Sequence, residues 1–386
     1  MPNINKKIRN KWIGFNKPFL TGKEQNYIID ASKKGQLAGD GFFTKKSQKW
    51  LCKNLLSKHA LITHSCTAAL EMAAILLDIE PGDEIIMPSF TFVSSANAFV
   101  LRGGVPVFVD IRSDTLNMDE NLIEQSITPK TKAILPVHYA GVACEMDSIL
   151  KIAKKYNLFV IEDAAQGILS KYSDKTLGSI GDLGCLSFHE TKNIISGEGG
   201  ALLINNGSLS ERAEIIREKG TNRKEFFDGK VDKYSWMDIG SSYLPGEIIA
   251  AFLYAQLESA DNLISERISI WNIYDDYFRS ISEKINIKYP AVPDNCTHNG
   301  HMYYLIFENQ KLKNDFLAFM LDKKIHCVTH YVPLHSSVGG KKYGKTISEM
   351  PVTNKVASCL VRLPLWIGLE TERVITEIDS WIVNHS

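Results

Sequence analysis

Between residues 60 and 205 short apolar runs alternate with stretches of helical periodicity. Residues 60–63, 84–87, 105–110, 133–137, 159–162, 185–188 and 201–204 read as strands, and the segments between them as crossover helices over a mainly parallel sheet. From 247 to about 284 the pattern is helical, opening with Ile248-Ile249-Ala250-Ala251-Phe252-Leu253. It predicts a long helical stretch leading out of a large domain. Strand-like 303–307, helical 315–321, strand-like 327–332 and a helix after Glu372 predict a smaller α+β unit. The expected architecture is α/β. A large domain covers residues 1–255 with its N-terminal segment, and a small C-terminal α+β domain covers 256–386.

At 386 residues, with 44% hydrophobic and 23% charged positions, the chain has the composition of an ordinary globular protein. Lys plus Arg and Asp plus Glu are each 44, so no global field draws the chain to nucleic acid or to an anionic membrane. An anionic substrate would need a local basic pocket. Seven scattered cysteines without a Cys-x-x-Cys pair argue against a disulfide framework and a zinc site, so no metal is expected and a reducing cytoplasm fits. The start of the chain, 1–11, is basic but leads into no apolar stretch of a signal peptide, and no run approaches the ~20 residues that span a bilayer. A cytoplasmic, soluble protein is expected.

Several strand ends carry chemistry, and ligands of open α/β sheets bind at such ends. Lys192 lies in Leu186-Ser187-Phe188-His189-Glu190-Thr191-Lys192-Asn193, and Asp163 ends the earlier run Ile161-Glu162-Asp163. A lysine can capture a cofactor aldehyde, and a carboxylate facing a pyridine nitrogen keeps that ring protonated, so the pair reads as a pyridoxal phosphate site. The run Ala60-Leu61-Ile62-Thr63 passes through His64-Ser65-Cys66-Thr67 into a helix rich in Ala and Leu. Free amides at that helix start would hold a phosphate, although Ser and Thr there are also ordinary caps. Ser187 reaches toward the same phosphate, Gln166 toward the ring hydroxyl, and Phe92 is a candidate to stack on the ring. His138 and His189 read as structural hydrogen-bonding histidines, and Gly197-Glu198-Gly199-Gly200 as a tight turn.

From about Phe15 onward the chain resembles the DegT/DnrJ/EryC1/StrS family of sugar aminotransferases, a branch of the fold-type I pyridoxal phosphate enzymes. The resemblance rests on Ser65-Cys66-Thr67-Ala68-Ala69-Leu70-Glu71, Met87-Pro88-Ser89-Phe90-Thr91-Phe92-Val93-Ser94, Pro136-Val137-His138-Tyr139-Ala140-Gly141, Ser187-Phe188-His189-Glu190-Thr191-Lys192-Asn193 and Asp232-Lys233-Tyr234-Ser235-Trp236. It implies that Lys192 binds the cofactor aldehyde, Asp163 the ring nitrogen and Gln166 the ring hydroxyl, with Phe92 stacked on the ring and Cys66, Thr67 and Ser187 on the phosphate. Ser242 stands where the family has an Asn that reaches the phosphate of a second subunit, which implies a homodimer with shared sites. Asn222, Arg223, His330, Tyr331 and His335 are the implied substrate contacts.

Within the family the chain is most similar to transaminases of TDP-4-oxo-6-deoxy-D-glucose. The resemblance thus implies transfer from L-glutamate to the C4 keto group of a nucleotide-linked sugar, in making surface polysaccharide. An aminotransferase acting at C3 is the alternative, or a non-catalytic cofactor-binding regulator. Sugar dehydratases of the family carry His at the lysine position, so Lys192 tells against them. A regulator would need a nucleic-acid module or basic stripe, which the sequence lacks.

Overall fold

The computed structural model describes residues 11–282 and 286–385. Residues 1–10, the basic leader, lie outside them. The strands are β1 (His59–Thr63), β2 (Glu84–Pro88), β3 (Val105–Val109), β4 (Thr131–Ile134), β5 (Phe159–Asp163), β6 (Lys171–Tyr172), β7 (Lys175–Thr176), β8 (Leu183–Ser187), β9 (Gly200–Ile204), β10 (Cys296–Thr297), β11 (Tyr303–Ile306), β12 (Lys345–Thr346) and β13 (Leu360–Leu363). Eight of them form one sheet in the order β1-β9-β8-β5-β4-β2-β3-β12. Its neighbours are parallel except around β9, which runs against both β1 and β8. β6, β7 and β10 make a small three-stranded sheet, and β11 pairs antiparallel with β13.

The sheet strands are apolar almost throughout because both faces are covered. Ala60, Ile62, Ile86, Val107, Ile134 and Val160 point to a layer holding the helices Phe42–Leu55, Met146–Tyr156 and Glu247–Leu257. Their neighbours Leu61, Ile85, Phe108, Ala133, Ile161 and Leu202 point to the helices Cys66–Leu76 and Val93–Val100 on the other side. Each such buried Val, Leu, Ile or Phe side chain contributes about 1.5–3 kcal/mol. One covering helix is capped from afar. Gly41, at the start of Phe42–Leu55, has no side chain to offer, so the Glu247 carboxylate accepts from the backbone N–H groups of Gly41, Phe43 and Thr44 at 3.1, 2.7 and 3.0 Å.

Beyond residue 260 a third apolar cluster gathers Trp271, Tyr274, Phe278, Tyr303, Phe316, Val361, Leu363 and Trp381. The helices 310–322 and 371–383 and strand β11 lie where sequence periodicity places them. Two local features differ. The helical stretch after 247 is two helices, Glu247–Leu257 and Ala260–Ser280, broken at Glu258 and Ser259. The run 327–332 forms no strand: only Val328 bridges Arg362, and the chain then turns so that His330 and Tyr331 stack face to face, 3.6 Å between ring centroids. No helix among the described residues is long and apolar enough to cross a membrane. All seven cysteines are free, and no group of metal-ligating side chains occurs among the described residues.

Candidate active site

The C-terminal ends of β2, β5 and β8, the start of the helix Cys66–Leu76 and the wall carrying Tyr331 and Arg362 enclose a cleft of about 770 Å³. At one end the Ser65 hydroxyl accepts from Ala68 N–H at 3.0 Å and caps the helix, while Cys66 and Thr67 N–H have no acceptor among the described residues. The Thr67 and Ser94 hydroxyls lie 2.7 Å apart beside them. β9 passes directly beneath, and a Cβ on Gly200 would sit 2.4 Å from Cys66 N, so only glycine permits this approach. Ser187, at the end of β8, completes a cradle of hydroxyls and free amides suited to a phosphate.

Lys192 lies in the loop between β8 and β9. The bonds from Glu190 N to Gly197 O (2.9 Å) and from Ser196 N to Phe188 O (2.7 Å) fold this loop back on itself, and Gly197 turns it with φ of 81°. The Lys192 amine has no hydrogen-bond or ion-pair partner among the described residues and opens on the cleft. Burial lowers its pKa, partly offset by Cys66 and Asp163 and reinforced by Arg362, which favours the neutral, nucleophilic form. Next to it Asn193 is locked, its amide donating to Asn299 O at 2.7 Å and its Oδ1 lying 2.8 Å from His301 Nδ1.

Asp163 ends β5 as a buried carboxylate. Its Oδ2 accepts from Ser95 Oγ at 2.7 Å, with Thr91 Oγ1 another 2.7 Å behind, and its Oδ1 takes only a 3.2 Å bond from Ala165 N. Gln166 accepts from Ala140 N at 2.7 Å and donates to Tyr331 OH at 2.9 Å. Phe92 is 56% exposed and faces Tyr331 with 6.4 Å between ring centroids. Burial pushes the Cys66 thiol well above its usual range, so it stays neutral beside Asp163.

Of the expected substrate residues, His330 and Tyr331 line the cleft. Tyr139 OH is 2.7 Å from His330 Nδ1, and burial keeps His330 neutral. The other three do not reach it within one chain. His335 is held behind the site, its Nδ1 2.6 Å from Ser89 Oγ. Asn222 spends its side chain on Glu225 and on Ser235 N, and Arg223 pairs with Glu218 at 3.4 Å and lies over the Phe227 ring. Ser242 is exposed in a bridge to Glu218, outside the cleft. His138 is structural as expected, buried between Glu162 and Cys144 N. Ser94, Ser95, His301 and Arg362 line the cleft without having been singled out. Ser95 was readable as the fourth residue after Thr91 on a helix start, whereas Arg362, a lone charge in Leu360-Val361-Arg362-Leu363, carries no local sign of facing a cleft.

The spore coat polysaccharide biosynthesis protein SpsC of Bacillus subtilis (strain 168) is 31% identical over 387 residues, covering 96% of this chain and 97% of its own. GDP-perosamine synthase of Escherichia coli O157:H7 is 31% identical over 371 residues, covering 96% and 97%. Spr1654 from Streptococcus pneumoniae, solved in its PLP form, superposes with a TM-score of 0.88 at 26% identity over 97% of this chain and 99% of its own. The architecture is accordingly the expected fold type I. A model of one family matches residues 18–380, from before the first strand to the last helix, and the chain belongs to that family, the DegT/DnrJ/EryC1/StrS aminotransferases.

Proposed function

We propose that the protein is a pyridoxal phosphate-dependent aminotransferase that moves an amino group from L-glutamate to C4 of a TDP-linked 4-oxo-6-deoxy-hexose, for a surface polysaccharide. One observation carries the cofactor reading. The unpartnered Lys192 amine shares a cleft with the buried Asp163 carboxylate and with a helix N-terminus whose first amides are free. These groups fit an aldehyde, a ring nitrogen and a phosphate. When bound, the cofactor supplies an aldehyde that takes up an amino group and a protonated ring that draws electrons from the carbon losing its proton.

The chain's own residues do the rest. Lys192 would hold the aldehyde carbon, and its amine, when free, would take up and return the proton at the donor's α-carbon. Asp163, oriented by Ser95, keeps the ring nitrogen protonated. Gln166 faces the ring hydroxyl, Phe92 covers the ring, and Cys66, Thr67 and Ser187 hold the phosphate. His330 and Tyr331 form the wall on which the sugar lies, with Asn222 and Arg223 as contacts to the partner's cleft and His335 as an outer contact that supports the wall from behind Ser89. In a homodimer Ser242 reaches the partner's phosphate. Trp236, 83% exposed, with Met237 and Ile239 beside it, supplies an apolar surface for a second subunit to cover. We place the domain division near residue 255, where Glu247–Leu257 packs in the large core and Ala260–Ser280 passes from it, at Leu263, to the third cluster, at Trp271. We place the enzyme in the cytoplasm.

The test is the absorbance of the purified, cofactor-loaded protein before and after L-glutamate, followed by addition of 4-oxo and 3-oxo sugars carrying TDP or GDP. Glutamate should convert the spectrum, and the TDP-4-oxo sugar should restore it at least about tenfold more efficiently than the 3-oxo isomer, because misplaced polar groups lose buried partners. No response to glutamate would end the aminotransferase reading. A preference for GDP or for the 3-oxo sugar would leave an aminotransferase with another substrate.

A further inference from the structure

His301 stands two residues before β11 and lines the cleft, on a backbone that is clamped in place. Arg267 donates from Nε to Gly300 O at 3.1 Å and from Nη2 to His301 O at 2.7 Å. Gly300 turns the chain there with φ of 60°, where a Cβ would meet the Arg267 backbone at 2.8 Å. The imidazole is fixed as well. Asn193 Nδ2 donates to Asn299 O at 2.7 Å, so its Oδ1 is the atom that faces His301 Nδ1 at 2.8 Å. An amide oxygen only accepts, and Nδ1 must therefore carry the ring proton. Burial keeps the ring neutral. Nε2 is left as a bare lone pair, without a hydrogen-bond partner among the described residues and open to the cleft. A ligand that displaces water from such an atom must bring a donor or leave the acceptor unpaired.

We propose that His301 is a specificity residue for the sugar, its Nε2 accepting a hydrogen bond from the hydroxyl at C3, beside the carbonyl that is aminated. The proposal rests on the 4-oxo sugar reading above. Position supports it first. His301 is tied to Asn193, the residue bonded to Lys192, so this acceptor stands at the reacting end of the cleft. Polarity supports it next. L-glutamate brings to that end an amino group, which goes to the aldehyde, and a carboxylate, which a lone pair repels. Of the two carbons flanking C4 in a 6-deoxy sugar, C5 carries a methyl group and C3 a hydroxyl, so C3 offers the donor. The neighbouring groups leave this role open. Gln166 accepts from Ala140 N and gives its Nε2 to Tyr331 OH, so the Tyr331 proton is free for the cleft, and Arg362 is a donor too. Donors suit the oxygens of a sugar but not the proton of its hydroxyl, and His301 supplies the missing acceptor.

The experiment takes the cofactor-loaded protein in its aminated form and follows the sugar half-reaction by absorbance. Two probes are used, the TDP-4-oxo-6-deoxy-hexose and its 3-deoxy analogue. The wild type should use the hydroxylated sugar about tenfold or more efficiently than the analogue. H301F, which fills the space without an acceptor, should lose about tenfold or more with the hydroxylated sugar and less than about twofold with the analogue, so the preference collapses. H301Q, whose amide oxygen accepts, should recover part of it. The glutamate half-reaction should change by less than about twofold in both variants. In histidine-labelled wild type, nitrogen NMR should find the His301 proton on Nδ1. A proton on Nε2 would overturn the proposal, and so would a wild type indifferent to the C3 hydroxyl, even if no variant folds. Equal losses on both sugars, or in both half-reactions, would overturn it as well, as from a framework role through Asn193. A wild type that glutamate converts but neither 4-oxo sugar restores would instead end the substrate reading itself, which keeps the two failures apart.

Discussion

Glu162 and Asp163 are adjacent carboxylates on one strand, facing opposite sides of the sheet, and they live differently. Glu162 is fully buried and saturated. It accepts from Gly178 N, Ile180 N and Gly181 N at 2.8, 2.6 and 2.7 Å and lies 2.9 Å from His138 Nε2. Asp163 has one strong bond, from Ser95, and one long one, from Ala165. Both oxygens of Glu162 are spent on fixing the loop before β8, whereas Asp163 keeps capacity for one more donor on the cleft side. A satisfied buried charge holds a fold, and an unsatisfied one beside a cavity awaits a ligand.

The sharpest way to break this contrast is on the cleft side. Lys192→Ala should leave a folded protein whose turnover falls by about 10²–10⁴-fold from lost proton transfer alone. Borohydride treatment followed by peptide mapping should label Lys192 in the wild type and nothing in the variant, and label appearing elsewhere would contradict the assignment. Asp163→Asn should still bind the cofactor but slow the glutamate half-reaction by about 10²-fold or more, since a neutral amide cannot hold a ring proton by charge. Unchanged kinetics would put Asp163 in the same class as Glu162. Glu162→Gln is the mirror experiment. Setting an NH₂ against backbone donors should lower unfolding free energy by about 2–4 kcal/mol, measured in denaturant, while the folded fraction keeps its response to glutamate. A stable variant without activity would reverse the two roles. The smallest effect belongs to Ser95→Ala, which removes the orienting bond but not the charge. A slowing of about tenfold is expected, with cofactor affinity nearly kept, and stopped-flow absorbance decides it.

The same contrast explains what could be read in the chain beforehand. Strands buried on both faces announce themselves as apolar runs, so β1 to β5, β8 and β9 were legible. Lys192 and Asp163 were legible because polar residues end such runs. Residues 327–332 misled because their alternation is that of a strand, while stacking of His330 on Tyr331 decides their path. Arg362 sits in a strand of four residues whose partner β11 is more than fifty positions away, so nothing local marks it as facing a cleft. Asn222 and Arg223 carry the right chemistry for an anion, yet nearby Glu225, Ser235 and Glu218 claim them, and only tertiary structure reveals that competition.

The strap at the beginning of the chain has a consequence for synthesis. Ile13 pairs with Ile325, Gly14 O accepts from Trp366 Nε1 at 3.0 Å, Phe15 lies against Arg362, and Asn16 reaches Glu190 O at 3.3 Å. Of these partners Ile325, Arg362 and Trp366 leave the ribosome some 310 to 350 residues after the strap itself, and only Glu190 sooner. Lys192, Asp163 and the helix start at Cys66 emerge long before. A nascent chain therefore holds every residue of the cofactor end of the cleft while Phe15 still waits for the wall against which it closes, and contacts of such sequence separation form late. Maturation thus has an order: the cofactor end can form first, and the wall carrying Phe15 and Arg362 only after the last strand has been made.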